Sequence, residues 1–239
     1  MIQYVRNYKV NKKNIDFGYY INADDIASQL ATDKFYFNSF DIFASNKEFK
    51  TTVLASGLIN DDFTKEDFDN SYLLRANKLT LKIAGAIERV SQIIADFLRK
   101  KMLQERKRFS FETVFSHNSK LEIMRLAKEQ GYKVYLYFVS TESPEINKFR
   151  VKSRVAQGGH SVPGDKIESR YYRSLELLYE ATKIAYQVYF FDNSENNKDS
   201  RLFAHFKIEK GRQKWNNDYD ESSLPVWFVE YFLDKSNEV

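Results

Sequence analysis

The stretch Ala127-Lys128-Glu129-Gln130-Gly131-Tyr132-Lys133-Val134-Tyr135-Leu136-Tyr137-Phe138-Val139 decides the fold class of this chain. Leu121, Met124 and Ala127 recur at three-residue spacing and mark a helix. Gly131 closes it, because glycine tolerates the left-handed conformation that ends many helices. Tyr132 to Val139 then reads as apolar on both faces, as a strand buried in a parallel sheet does. Toward the C-terminus, Pro144 sits in the first turn of a helix that ends at Gly158-Gly159. Pro163 opens another helix with Ile167, Tyr171, Leu178 and Ala185 on one side, and Tyr186 to Phe191 is the next strand. Toward the N-terminus, Phe109 to Val114 reads as a short strand. Before it, Leu79, Ile83, Ile87, Val90, Ile94 and Phe97 predict one long amphipathic helix with a basic end, Arg99 to Arg108. Phe17 to Ile21 predicts a further strand and Asp24 to Leu30 a short helix. Alternating strands and helices imply right-handed crossovers, so the expected class is α/β, a parallel sheet sandwiched by helices.

The flanking segments read differently. Residues 33–78 are mixed and polar and predict an inserted helical hairpin. Leu202 to Ile208 and Arg212 to Trp215 flank Lys210-Gly211, a β-hairpin pattern, and Pro225 to Leu233 predicts a helix presenting Trp227, Phe228 and Phe232. The expected organisation is a core over residues 1–194, with a hairpin-and-helix tail over 195–239 packed on it. Only eight glycines and three prolines occur in 239 residues, which disfavours a turn-dense sandwich or barrel. Thirty-seven basic and 33 acidic residues leave a net charge of +4, too small a surplus to name nucleic acid or an acidic membrane as partner. With no cysteine, disulfides, thiolate metal sites and cysteine nucleophiles are excluded. Three scattered histidines argue against a histidine-built metal site. No apolar run approaches the ~20 residues of a membrane span, and the opening MIQYVRNYKVNKK lacks the apolar centre of a signal peptide. The expected location is the cytoplasm.

Three constellations could carry chemistry. Asn22-Ala23-Asp24-Asp25 follows a strand and opens a helix, where open α/β sheets bind ligands. A carboxylate there can accept a proton from a hydroxyl; Asn and Asp are equally the preferred helix caps. Glu112 ends an apolar strand, followed by Thr113, Ser116 and His117. It either faces a polar cleft or pairs with an arginine, and His117 reads as an ordinary loop or helix-start residue. Arg150 and Arg154, four apart, lie on one face of a helix, with Arg170 and Arg173 on the next. Two arginine-bearing helices around Gly158-Gly159 would suit a lid closing over phosphates, or form a solvated charged face.

Six segments in order carry a family resemblance: INADDIA (residues 21–27), FETVFS (111–116), AKEQGYKVYLYFV (127–139), RVKSRVAQGGHSVP (150–163), ESRYYRSL (168–175) and FFDNS (190–194). Together they resemble the zeta-toxin-like family of P-loop kinases, in its compact bacterial "predicted ATPase" branch. The resemblance implies a P-loop NTPase-like sheet and an ATP- and Mg2+-dependent phosphotransferase acting on a hydroxyl of a small molecule, in zeta toxins a UDP-linked amino sugar. It also implies a possible antitoxin protein as partner. By position, Asp24 matches the aspartate that deprotonates the acceptor. Asn22, Glu112, Thr113 and Ser116 fall in the substrate cleft, although Val114 replaces a threonine usual in the branch. Arg154 and Arg150 match arginines that stabilise the transferring phosphoryl. His160, Arg170 and Arg173 belong to the phosphate lid, and Asn193 to the nucleotide site.

One departure stands out: no GxxxxGKS/T occurs in the 239 residues. That loop would hold the phosphates and Mg2+. In the family it precedes INADDIA, and Ile2 to Tyr8 matches the helix just behind it. The expectation is a truncated sequence, inactive in transfer as it stands. Without the family's first strand, the central one, the strands at Phe109 and Tyr132 would each keep an unpaired edge. The alternative function is a catalytically dead module that binds a nucleotide sugar or a partner. Nucleic-acid binding through Arg99 to Arg108 is a weaker third reading, with steep salt dependence as its signature.

Overall fold

The computed structural model describes residues 9–10, 13–14, 16–159, 161–216 and 223–237, so the helix expected at Ile2 to Tyr8 lies outside the described residues. The chain is α/β and divides into two compact units, one ending at Glu112 and the other continuing from Thr113. None of the described helices is long and apolar enough to cross a membrane.

In the first unit, β1 (Lys9–Val10) and β2 (Lys13–Asn14) form a short antiparallel ladder. β3 (Tyr19–Ile21) leads through Asn22 into α1 (Ala23–Thr32). There follow β4 (Phe35–Tyr36), a 3-10 turn (Phe37–Phe40), α2 (Asn46–Leu54), α3 (Lys65–Ser71), β5 (Tyr72–Arg75) and β6 (Lys78–Leu81). α4 (Ile87–Gln104) and β7 (Phe109–Phe111) complete the unit. β3 and β7 pair in parallel, Tyr19 opposite Phe109, Tyr20 opposite Ser110 and Ile21 opposite Phe111. Val90, Ile93, Ile94, Phe97, Leu98 and Met102 make the apolar stripe of α4. They bury it against a phenylalanine-rich core in which Phe49 meets Phe97 at 5.0 Å and Tyr72 at 5.3 Å between ring centroids.

Two expectations fail here. Leu79 does not begin the long helix, and residues 33–78 are not a helical hairpin: β4, β6 and β5 form a three-stranded antiparallel sheet. The cause is the turn Ala76-Asn77, both residues at positive φ (47° and 63°), which reverses the chain between β5 and β6. Asn77 fastens it: its Oδ1 accepts the Ala44 N–H at 2.8 Å and its Nδ2 donates to the Ile42 carbonyl at 2.8 Å and to Asn38 Oδ1. The basic end is largely absorbed too. Arg99 is buried, paired with Asp96 at 3.2 Å and lying over the Phe111 ring, while Lys101 pairs with Glu48 at 2.6 Å.

The second unit holds α5 (Ser119–Glu129), β8 (Tyr135–Ser140), α6 (Pro144–Ala156), α7 (Gly164–Glu176), α8 (Leu178–Ile184), β9 (Gln187–Asp192), β10 (Arg201–Glu209) and β11 (Arg212–Trp215). It closes with α9 (Val226–Phe228), a π-helical turn (Val229–Leu233) and α10 (Asp234–Asn237). Gly131 takes the expected left-handed conformation (φ 81°), and the Tyr132 N–H donates to the Ala127 carbonyl at 3.0 Å. The sheet order is β11-β10-β9-β8, with β8 and β9 parallel and the hairpin added antiparallel to β9. Lys210 and Gly211 (φ 52° and 77°) turn that hairpin. Phe190, Phe206, Phe228 and Phe232 fill the core beneath it, with Phe190 and Phe228 at 4.8 Å.

The parallel strands thus fall in two sheets rather than in the single parallel sheet expected. Among the described strands, β7 is paired along one edge only, with β3, and β8 along one edge only, with β9.

Candidate functional site

In the first unit the site is built where β3 ends and α1 begins. Asn22 is the N-cap of α1: its backbone is extended (φ −130°, ψ 126°) and its Oδ1 accepts the Asp24 N–H at 2.8 Å. Capping and site building therefore coincide in one residue. Asp24 and Asp25 follow in the first turn, both exposed, where the helix dipole favours negative charge. Glu112 is exposed just beyond β7, so the carboxylate avoids the cost of burial.

Tyr20, which the motif reading passed over, joins these groups. Its side chain shares a strand face with Asn22, two residues on, and that alternation was the available signal. Asn22 Nδ2 donates to the Tyr20 hydroxyl oxygen at 3.1 Å. Burial pushes the Tyr20 phenol up to about 12; the Asn22 hydrogen bond opposes this, and the charges of Glu112 and Asp25 add to it. The arrangement offers three solvent-facing carboxylates and a neutral phenol at the carboxyl ends of two parallel strands. Chemically it can accept hydrogen bonds from ligand hydroxyls and take a proton from one.

The other expected site residues lie in the second unit. Thr113 is exposed and Ser116 half-buried in the loop before α5, where Phe115 (φ 57°) sets its ring edge-on to Phe138. His117 is the helix-start residue anticipated: its Nδ1 accepts the Ser119 N–H at 3.2 Å. Arg150 reaches the loop after β9, donating to the carbonyls of Asn193 (2.7 Å) and Glu195 (2.9 Å). Arg150 and Asn193 are thereby brought together, with the arginine bracing the loop backbone. Arg154 is exposed near the end of α6. Gly158 caps that helix at φ 88°, and a Cβ on Gly159 would meet Arg154 Cγ at 2.6 Å, so both glycines have a structural reason. Arg173 bonds back to Ser169 within α7, and Arg170 is half-buried. His160 lies outside the described residues. α6 buries only Pro144 and is tied to α7 by Lys148 and Glu168 at 2.5 Å.

The sequence has no GxxxxGKS/T, and among the described residues no group of three or more His, Asp or Glu side chains is arranged to hold a metal ion.

No family model matches the chain, and no solved structure matches it. The chain is similar to a protein of Haemophilus influenzae described only as an uncharacterized protein, 40% identical over 63 residues. That match covers 26% of this chain and 45% of the Haemophilus protein.

Proposed function

We propose that this chain binds the hydroxyl-bearing acceptor of a zeta-toxin-like kinase reaction, a nucleotide sugar such as a UDP-linked amino sugar, at Asn22, Asp24 and Glu112. The observation that carries the reading is the cluster itself. A capping asparagine, an exposed aspartate and an exposed glutamate sit at the carboxyl ends of the parallel pair β3–β7. Ligands of open α/β sheets bind at that end, and the resemblance in INADDIA and FETVFS supplies the class of ligand. Phosphoryl transfer is not part of this proposal, because the nucleotide cradle is missing from these residues.

The test is calorimetric titration of the full chain with a UDP-linked amino sugar, with and without ATP and Mg2+. Saturable binding is expected, weakened about tenfold by Asp24→Ala or Glu112→Gln, the scale of one charged hydrogen bond. Absence of binding, or binding indifferent to both substitutions, refutes the assignment. Appearance of phosphorylated sugar in the ATP-containing mixture would instead assign the complete kinase reaction.

A further inference from the structure

Strand register sorts the sheet of the second unit into alternating rows. Leu136, Val188 and Phe206 lie opposite one another on β8, β9 and β10, and all three are buried in the core. One residue back along β8 the row is Tyr135, Gln187, Lys207 and Lys214, each paired with the next. Neighbouring residues of a strand face opposite ways, so this row lies on the other face. Tyr135 is 48% exposed, Lys214 is exposed, and Gln187 and Lys207 are half-buried. Tyr186 ties the aromatic end of the row to its charge. Its ring meets Tyr135 edge-on at 5.7 Å, with Lys133 Nζ 4.9 Å and Lys207 Nζ 5.6 Å from its centroid. Against the three ammonium groups of Lys133, Lys207 and Lys214, the ion pairs among the described residues set one carboxylate, Glu209, at 3.1 Å from Lys207 and 3.4 Å from Lys214. A cavity of about 190 Å³ opens beside Gln187, Lys207 and Lys214. The next row on this face, Tyr137, Tyr189 and His205, stacks ring on ring at 4.7 and 5.3 Å and stiffens the strip.

We propose that this row binds single-stranded nucleic acid: a base stacks on the Tyr135 ring, the Gln187 amide meets a base edge, and Lys133, Lys207 and Lys214 meet phosphates. An exposed aromatic ring takes any base by its π-face, while flanking cations track the backbone. Neighbouring strands lie about 4.8 Å apart, so the four-strand row is roughly 14 Å long and grips a short stretch of strand. A duplex keeps its bases stacked on one another and has none to offer Tyr135. The overall charge of +4 hides such a surface, because the surplus here is local. The basic run at Arg99 to Arg108 differs, since Arg99 and Lys101 are taken up by Asp96 and Glu48. The row belongs to the second unit and does not rest on the sugar site at β3–β7.

The test is fluorescence anisotropy of the full chain with short labelled oligo(U), oligo(dU) and a duplex of the same length. Saturable binding of a single strand and weaker binding of the duplex are expected. Tyr135→Ala should weaken single-strand binding at least about fivefold, the low end for one base stack, while Tyr135→Phe keeps it. Three phosphate contacts give log affinity a slope of about −2 against log salt, and Lys214→Gln should make that slope shallower by about 0.7. A preference for oligo(U) or oligo(dU) that is lost in Tyr135→Ala supports the proposal and names the strand as RNA or DNA. Absence of binding, a duplex bound as tightly as the single strands, or affinity indifferent to Tyr135→Ala overturns it. So does a salt slope unmoved by Lys214→Gln, which decides the matter even where the tryptophan fluorescence of Tyr135→Ala shows an altered fold.

Discussion

Gly18→Ala should break the support on which the candidate site stands. Gly18 has φ +63°, and a Cβ there would lie 2.2 Å from the Arg108 carbonyl oxygen and 2.5 Å from its carbon. That oxygen accepts the Tyr19 N–H at 3.0 Å, the hydrogen bond that starts the parallel pairing of β3 with β7. The neighbour is backbone and cannot swing aside as a side-chain tip would. Holding alanine in the left-handed region costs about 1–2 kcal/mol, and losing the Tyr19 bond adds roughly 0.5–1.5 kcal/mol. The sum, about 1.5–3.5 kcal/mol, corresponds to an opening equilibrium shifted roughly 10- to 400-fold. Both tryptophans, Trp215 and Trp227, belong to the second unit, so their fluorescence is the wrong probe. Amide hydrogen exchange at Tyr19 reads the perturbation directly and should accelerate by at least about 10-fold. A Tyr19 amide as protected in the variant as in the wild type would refute the argument.

Three further substitutions test other parts of the account. Asn77→Ala gives up the bonds to Ala44 and Ile42 and leaves alanine at φ 63°, so it should cost about 2–4 kcal/mol in denaturant unfolding. A loss below about 1 kcal/mol would show that the β5–β6 turn holds without it. Ser110 Oγ is buried on β7 without a hydrogen-bond partner among the described residues, so Ser110→Ala should stabilise by about 1 kcal/mol; destabilisation would reveal a partner. Burial raises the Glu142 carboxyl above its ordinary value of 4.5, against the opposing hydrogen bond from the Val226 N–H, with Asp192, Arg201 and Glu230 nearby. The native state therefore binds the proton more tightly. Its contribution to stability is full below 4.5 and is lost as pH rises through the raised value. Glu142→Gln should flatten the dependence of Tm on pH across that window, and an unchanged slope would contradict the assignment.

What could be read in the sequence follows from the range of the signals. The β8–α6–α7–β9 run was legible because Gly131, Pro144 and Gly158 are local punctuation and β9 is buried almost throughout, although β8, expected to be buried on both faces, fully buries only alternate residues. The β10–β11 hairpin was legible for the same reason, through Lys210-Gly211. Residues 33–86 were not. The spacing of Leu79, Ile83 and Ile87 suits a helix face as well as a strand running into a helix, and the choice rests on Asn77 reaching Asn38, Ile42 and Ala44, more than thirty residues away. An asparagine in a turn was the only local hint. At the site, Asn22, Asp24 and Glu112 were visible as a motif, and the structure gathers them around one strand pair. Tyr20 was hidden because its part is a hydrogen bond received from the Asn22 side chain, which no motif spacing announces. The lid arginines show the converse: Arg150 and Arg154 share a helix, yet Arg150 is tied to the Asn193 loop.

The central claim is that the end of the β3–β7 pair is a binding site for a sugar-bearing nucleotide. The most direct measurement is NMR mapping of the full chain titrated with a UDP-linked amino sugar. The account predicts saturable shifts at Asn22, Asp24, Asp25 and Glu112 that need about tenfold more sugar to saturate in Asp24→Ala. Shifts confined to other residues, or none at saturating sugar, would contradict it.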